Sequence, residues 1–336
     1  MPYIKAIITA LFILILPANI LAKERQVVVY TALDQLFSEP ILKEFEKRYN
    51  IKVRAVYDIE AVKTTGLVNR LIAEKKNPHC DVFWNNEIIR TIILKRKGIL
   101  CPYISPAARD IPAQYKDPEG YWTGFAARVR VLVVNSDLVQ KRDFPTSIND
   151  FINAKWQGAT AMANPLFGTT ATHLAALYTT MGRRNATEFL KKTVKNKIRI
   201  VDGNSIVRDM VASGAALWGI TDSDDVNIGI NNGLPIKAVL PDQDGKGTLL
   251  IPNSLSLIAG APHGAEGRLL MDFILSKEIE GRLCRSASAQ IPLRSEIKVT
   301  NGHLAKKDIV VMRVDFEKMA DIMIEAGAAA QNIFFH

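Results

Sequence analysis

The sequence predicts an α/β protein of two lobes, each a mostly parallel sheet flanked by helices, and three observations carry that prediction. Short apolar or alternating runs recur between stretches whose apolar residues repeat with helical period. One apolar run, Gly124–Asn135, is long enough to connect two lobes. The chain has 336 residues at 48% hydrophobic content, enough to bury two cores of ordinary domain size.

Taken in order, the elements repeat a strand-helix unit. Val27–Tyr30 is a short apolar strand, and a helix after Ser38 sets Ile41, Leu42 and Phe45 on one face. Ile51–Tyr57 alternates as a second strand, and a helix from about Glu60 presents Val62, Leu67, Val68, Leu71 and Ile72. Asp81–Trp84 is a third strand, and Ile88–Lys97 a helix closed by Gly98. Beyond Gly124–Asn135, a helix is expected over Phe144–Gln157, then a strand at Ala159–Ala163 and a helix ending near Met181 before Gly182. Ile198–Val201, a helix from Ser205, and Ala216–Thr221 repeat the unit. Gly233–Leu240 and Leu249–Ala259 are strands around a turn and make the return crossing, and Gly264–Ser276 and Asp315–Ala328 are closing helices. The expected boundaries are a leader at 1–22, one lobe of 23–126 plus 250–295, and a second of 127–249 plus 296–336.

The start of the chain has the parts of a secretory signal peptide: Lys5, an apolar run from Ala6 to Leu16, and small residues near Ala22. The run is too short to cross roughly 30 Å of hydrocarbon, so a cleaved, exported, soluble product is expected. Loss of the leader removes one basic residue, Lys5, leaving 42 Lys and Arg against 34 acids, a net +8. The positive residues are scattered, and the densest group, Lys191, Lys192, Lys195, Lys197 and Arg199, is spaced like the wet face of a helix. No aromatic interleaving or helix-turn-helix pattern accompanies it, which argues against nucleic acid. Three cysteines, Cys80, Cys101 and Cys284, are too few for a disulfide scaffold. Either Cys80 and Cys101 bridge or all three are small buried residues.

Enzyme chemistry finds no support. There is no Gly-x-Ser-x-Gly elbow and no His-Glu-x-x-His helix, and the five histidines are dispersed. Open sheets place ligands beyond the carboxyl ends of their strands, so four loops are candidates. In Phe167-Gly168-Thr169-Thr170, a glycine and two hydroxyls open a helix, where free amides and the helix dipole attract an anion; plain capping is the competing role. In Asp222-Ser223-Asp224-Asp225, three carboxylates repel one another and need a hard metal ion, a ligand ammonium or solvent, unless Asp222 simply caps a helix. The others are Ala32-Leu33-Asp34-Gln35 and Trp84-Asn85-Asn86-Glu87.

Five segments carry a family resemblance: Val29-Tyr30-Thr31, Asp81-Val82-Phe83-Trp84-Asn85-Asn86, Asn164-Pro165-Leu166-Phe167-Gly168-Thr169-Thr170, Ile251-Pro252-Asn253, and Ser288-Ala289-Gln290-Ile291-Pro292-Leu293. From Val27 onward the chain resembles the ferric-iron branch of the periplasmic solute-binding proteins that serve bacterial ABC importers. The resemblance implies a two-lobed periplasmic-binding-protein fold of type II that closes on cargo and delivers it to a membrane permease. In that branch a histidine, a glutamate and two adjacent tyrosines hold iron with a bound anion. Here Asp34 stands in the histidine's place, Asn86 in the glutamate's with Glu87 beside it, and Asp224-Asp225 in that of the tyrosine pair. The phenolates that favour ferric iron are gone, although aspartates remain hard oxygen ligands. The anion loop survives.

The expectation is therefore a monomeric periplasmic binding protein with no cofactor and no catalysis. Its cargo is a small oxyanion such as a phosphonate or phosphate ester, with or without an amine, and ferric iron held by Asp224 and Asp225 is the alternative. A periplasmic sensor subunit for a membrane receptor is the alternative of another class. The expected ligand residues are Asp34, Asn86, Glu87, Phe167, Gly168, Thr169, Thr170, Asp222, Asp224 and Asp225, with the amides of Gly168–Thr170 facing the acids across a closing gap.

Overall fold

The computed structural model describes residues 24–58, 64–298 and 309–336. The leader, and the start expected near Glu60 for the second helix, lie outside the described residues. Among the described residues ten strands form one sheet, eight of them in the order 2-1-3-10-5-8-6-7, with the fourth on the tenth and the ninth on the fifth.

In the first half, β1 (Gln26–Thr31) lies between β2 (Lys52–Tyr57) and β3 (Val82–Asn85), parallel to both. The helices α1 (Gln35–Tyr49), α2 (Thr65–Ala73) and α3 (Ile89–Arg96) follow these strands in turn. Strand β4 (Leu100–Cys101) leads on to β5 (Thr123–Asn135), which is buried along all 13 residues. Its Val- and Leu-rich sequence has no solvent face to offer, as a strand covered on both sides requires.

The second half contains β6 (Thr160–Ala163), α4 (Gly168–Met181), α5 (Arg183–Lys195), β7 (Arg199–Val201), α6 (Asn204–Ala212), β8 (Trp218–Asp222), α7 (Ser223–Asn231) and β9 (Ile236–Val239). Strand β6 is parallel to both β7 and β8. The return strand β10 (Leu250–Ile258) runs antiparallel to β3, β4 and β5. Helices α8 (Gly264–Ile274), α9 (Lys277–Arg285) and α10 (Phe316–Phe334) close the chain.

The two halves meet in β5. Residues Thr123 to Val129 pair with β10, and Arg130 to Val134 pair with β8. The chain thus passes between the half-sheets by changing partner within one strand. Before that change, within the β10 ladder, a register shift between Pro252 and Asn253 leaves Ala126 as the extra residue, and its φ of +36° is a left-handed value that costs a residue with a Cβ about 1–2 kcal/mol.

Three expectations need correction. The helix expected over Phe144–Gln157 is a series of 3-10 turns, Lys141–Asp143, Ile148–Ile152 and Ala154–Trp156. Ser147 and Asp150 form a capping box there, and Asn153 accepts from the Lys155 amide, so polar side chains take the bonds a longer helix would need. Helix α1 begins at Gln35, before Ser38, whose hydroxyl donates to the Leu33 and Asp34 carbonyls. The cysteines are unbridged, and Cys101 is only half-buried. Strand β10 runs between β3, which follows Cys80, and β4, which holds Cys101. Two strand spacings, roughly 9–10 Å, exceed the reach of a disulfide. Among the described residues no helix is long and apolar enough to cross a membrane.

Candidate functional site

The ends of β1, β3, β6, β7 and β8 converge on one cavity. It is lined by Asp34, Asn86, Phe167, Gly168, Thr169, Thr170, Asp222, Asp224 and Asp225 from the sequence-derived set, and also by Arg128, Asn164, Asp202 and Asn204. The space inside is about 30 Å³, enough for a few waters or a small ion.

The floor is the start of α4. Phe167 occupies the N-cap position with extended backbone and makes no side-chain cap, so the helix is not capped by threonine. Gly168 follows at φ +52°, a conformation that favours glycine. Among the described residues no acceptor serves the amides of Gly168, Thr169 or Thr170. Three unsatisfied donors and the positive end of a 14-residue helix therefore border the cavity.

Beneath them sits Arg130, fully buried. Its Nη1 donates to Asp222 Oδ1 at 2.6 Å, Thr169 Oγ1 at 3.0 Å and Asn204 Oδ1 at 3.1 Å, and its Nη2 donates to Thr170 Oγ1 at 3.2 Å. Asp222 stands at the N-cap position of α7 but makes no cap bond. Its carboxylate instead accepts from Arg130, from Thr169 Oγ1 at 2.6 Å and from Asn204 Nδ2 at 3.0 Å. The acidic loop and the anion loop leave adjacent parallel strands and are bonded to each other. They do not face one another across a gap; the residues that approach them from the first half-sheet are Asp34 and Asn86.

Arg128 enters from β5, two residues before Arg130 and on the same face. Its Nη1 lies 3.3 Å from Asp224 Oδ2 and 3.9 Å from Asp222 Oδ2, and its Nε has no partner among the described residues. Burial alone would lower its pKa, but the carboxylates of Asp224, Asp222, Asp34 and Asp225 outweigh that and raise it. Asn86 Oδ1 is also buried without a partner among the described residues. Carboxylate oxygens of Asp222, Asp224 and Asp225 lie within 4.8 Å of one another.

Glu87 is elsewhere. Fully buried, it accepts from the Ile89 and Arg90 amides at the start of α3, from Asn85 and from Thr172 on α4, and it does not line the cavity. The missed residues had a signal. Two arginines spaced by two in an otherwise apolar run give that strand one polar face, and Asp202-Gly203-Asn204 is another loop beyond a strand end.

The family profile described as "Bacterial extracellular solute-binding protein" matches residues 92–319. The chain is 22% identical over 336 residues to the Fe(3+)-binding periplasmic protein of Serratia marcescens, covering 96% of each. To a putative 2-aminoethylphosphonate-binding periplasmic protein of Salmonella paratyphi A it is 24% identical, covering 77% of this chain and 74% of the other. Among solved structures, the periplasmic binding protein AfuA of Actinobacillus pleuropneumoniae with fructose-6-phosphate bound superposes with TM-score 0.83 at 21% identity, over 93% of this chain and all of that one.

Proposed function

The chain belongs to the bacterial extracellular solute-binding proteins, and from that premise we propose that its cavity captures a small oxyanion carrying an amine. Members of the family bind solutes for transport and perform no chemistry on them. This chain is the substrate-binding component of an ABC importer. It works in the periplasm as a monomer, after loss of the leader at 1–22, and delivers its cargo to the membrane permease. One lobe comprises 23–126 plus 250–295 and the other 127–249 plus 296–336, and both hinge about β5 and β10.

The observation that supports this reading is the juxtaposition, in one cavity, of three unsatisfied amides at Gly168–Thr170 with an excess of carboxylate over guanidinium. Asp34, Asp202, Asp222, Asp224 and Asp225 line the wall, against Arg128 in the wall and Arg130 beneath it. At an effective dielectric near 20, unit charges about 4 Å apart interact by about 4 kcal/mol, so the sign of each group matters. A plain oxyanion suits the amides and is repelled by the surplus acids. An ammonium on the same molecule offsets them. The aminophosphonate named for one relative and the sugar phosphate bound to a structural neighbour belong to this chemical range.

A second reading, capture of ferric iron, draws on the close spacing of Asp222, Asp224 and Asp225 and on the small cavity. Thermal-shift titration of the mature protein with phosphate, 2-aminoethylphosphonate, hexose phosphates and ferric citrate separates the two. The melting temperature should rise most with the amine-bearing phosphonate, because a ligand selective for the folded state stabilises it. A rise with iron alone, together with stoichiometric iron retained by the protein in elemental analysis, would overturn the proposal in favour of the second reading.

A further inference from the structure

We infer that Arg128 sets the choice between an amine-bearing anion and a metal ion, its guanidinium standing as the built-in counter-cation of Asp222 and Asp224. The inference rests on this cavity being the cargo site. Three carboxylates whose oxygens lie within 4.8 Å of one another have the spacing of a hard-cation site. In this chain a cation is already among them. Arg128 Nη1 is 3.3 Å from Asp224 Oδ2 and 3.9 Å from Asp222 Oδ2, on a side chain only 4% exposed.

Two further facts make this more than an incidental ion pair. Arg128 is loosely held by the rest of the protein: apart from the acids, its polar contact is Nη2 with Asn253 Oδ1 at 3.4 Å. Its Nε is buried with no partner among the described residues, although the side chain lines the cavity. Arg130 also has an Nε without a partner among the described residues; it differs in spending its Nη donors on Asp222, Thr169, Thr170 and Asn204, in the framework under the anion loop.

The two arginines therefore divide the work. Arg130 holds the loop in shape, while Arg128 neutralises part of the acidic wall and keeps a donor for the cargo's anionic oxygen. A metal ion seated between Asp222, Asp224 and Asp225 would lie beside a fixed positive charge inside a buried wall, where like charges repel strongly. A guanidinium keeps its charge at any physiological pH, so the exclusion does not switch off.

Terbium(III), a luminescent hard cation, tests this on the mature protein and on Arg128→Met, Arg128→Lys and the double variant Arg128→Met with Asp224→Asn. Wild type and Arg128→Lys should not sensitise terbium. Arg128→Met should bind it at least roughly thirtyfold more tightly, the scale set by breaking a buried charge pair, and the double variant should lose most of that gain. Circular dichroism checks folding, and Arg128→Gln replaces Arg128→Met if the latter is unfolded. Terbium binding to wild type as tight as to the variant, or no gain in a folded Arg128 variant, overturns the inference. The same proteins are titrated with 2-aminoethylphosphonate. Anion binding by wild type without any metal gain in the variant sinks the role of Arg128 alone. A metal gain in the variant, with no anion bound by wild type, sinks the proposed cargo and leaves that role standing.

Discussion

Thr169 Oγ1 donates to Asp222 Oδ2 at 2.6 Å while accepting from Arg130 Nη1 and Asn204 Nδ2, so this hydroxyl is saturated by the protein. Thr170 differs. Its Oγ1 accepts from Arg130 Nη2 at 3.2 Å, and no acceptor among the described residues takes its hydrogen. The adjacent threonines should therefore separate on substitution. Thr170→Val removes a donor polarised by a guanidinium and should weaken anion capture by roughly tenfold; because it also takes the acceptor from the buried Arg130 Nη2, it should lower stability by about 1–3 kcal/mol as well. Thr169→Val removes a donor from the buried Asp222 carboxylate and should lower stability by about 1–3 kcal/mol. Calorimetric titration and urea unfolding of the two variants check this, and equal effects on affinity would count against it.

Gly168 should be sensitive for a backbone reason alone. A Cβ built there meets nothing within 4 Å, so alanine creates no clash with the protein, but its φ of +52° strains any residue with a Cβ. Gly168→Ala should lower stability by about 1 kcal/mol. It should weaken anion binding by more than that, because relief of the strain turns the Gly168 and Thr169 amides. Gly168→Asn, which tolerates the left-handed region better, should lie between alanine and wild type in both measurements.

The positions of these residues were largely legible in the sequence, for a physical reason. Strand-end loops follow from alternating period and helix-start chemistry, both local signals, and these placed Asp34, Asn86, Gly168 and Asp222 on one cavity. Glu87 is ambiguous in the sequence, because a carboxylate before a helix can serve a ligand or the helix's own amides, and only the tertiary packing shows that Ile89 and Arg90 take it. Arg128 and Arg130 are hidden in the sequence by the apolar neighbours that dominate their strand. The bonding of Thr169 to Asp222 spans 53 residues, and no local pattern encodes it.

His173 gives the fold an acid-sensitive point. On α4, one turn beyond the anion loop, its burial and the nearby Arg130 push its pKa down to about 3 from an ordinary 6.5. Above pH 6.5 neither the folded nor the unfolded chain protonates it, and it contributes no pH dependence. As pH falls from 6.5 toward 3 the unfolded chain takes up a proton that the native state refuses, so stability is lost. The loss should reach about 1.4 kcal/mol near pH 5.5. His173→Leu should remove this component. Urea midpoints of variant and wild type at neutral pH and near pH 5.5 check it, and parallel shifts in both proteins would refute it.

Glu280 and Arg294 form a buried ion pair beside the register shift at Ala126 in β5, with side chains 0% and 1% exposed. Glu280 Oε1 also accepts from the Leu293 amide at 2.7 Å and from the Ala126 amide at 3.0 Å. It thus holds the residue whose left-handed φ accompanies the register shift in β5. On the far side, Asn253 Nδ2 donates to the Ala126 carbonyl at 2.5 Å, so both polar groups of this strained peptide are fixed. Glu280→Ala leaves the Arg294 charge without its most buried partner and frees the Ala126 amide, and should lower stability by about 3–5 kcal/mol. Ala126→Gly tests the strain separately. Glycine adopts positive φ without steric penalty, so this change should be neutral or mildly stabilising, whereas glycine in an ordinary strand interior weakens the fold. If Ala126→Gly destabilises by as much as a strand-interior glycine, the left-handed conformation is not the source of strain and the clamp around it has no backbone to restrain.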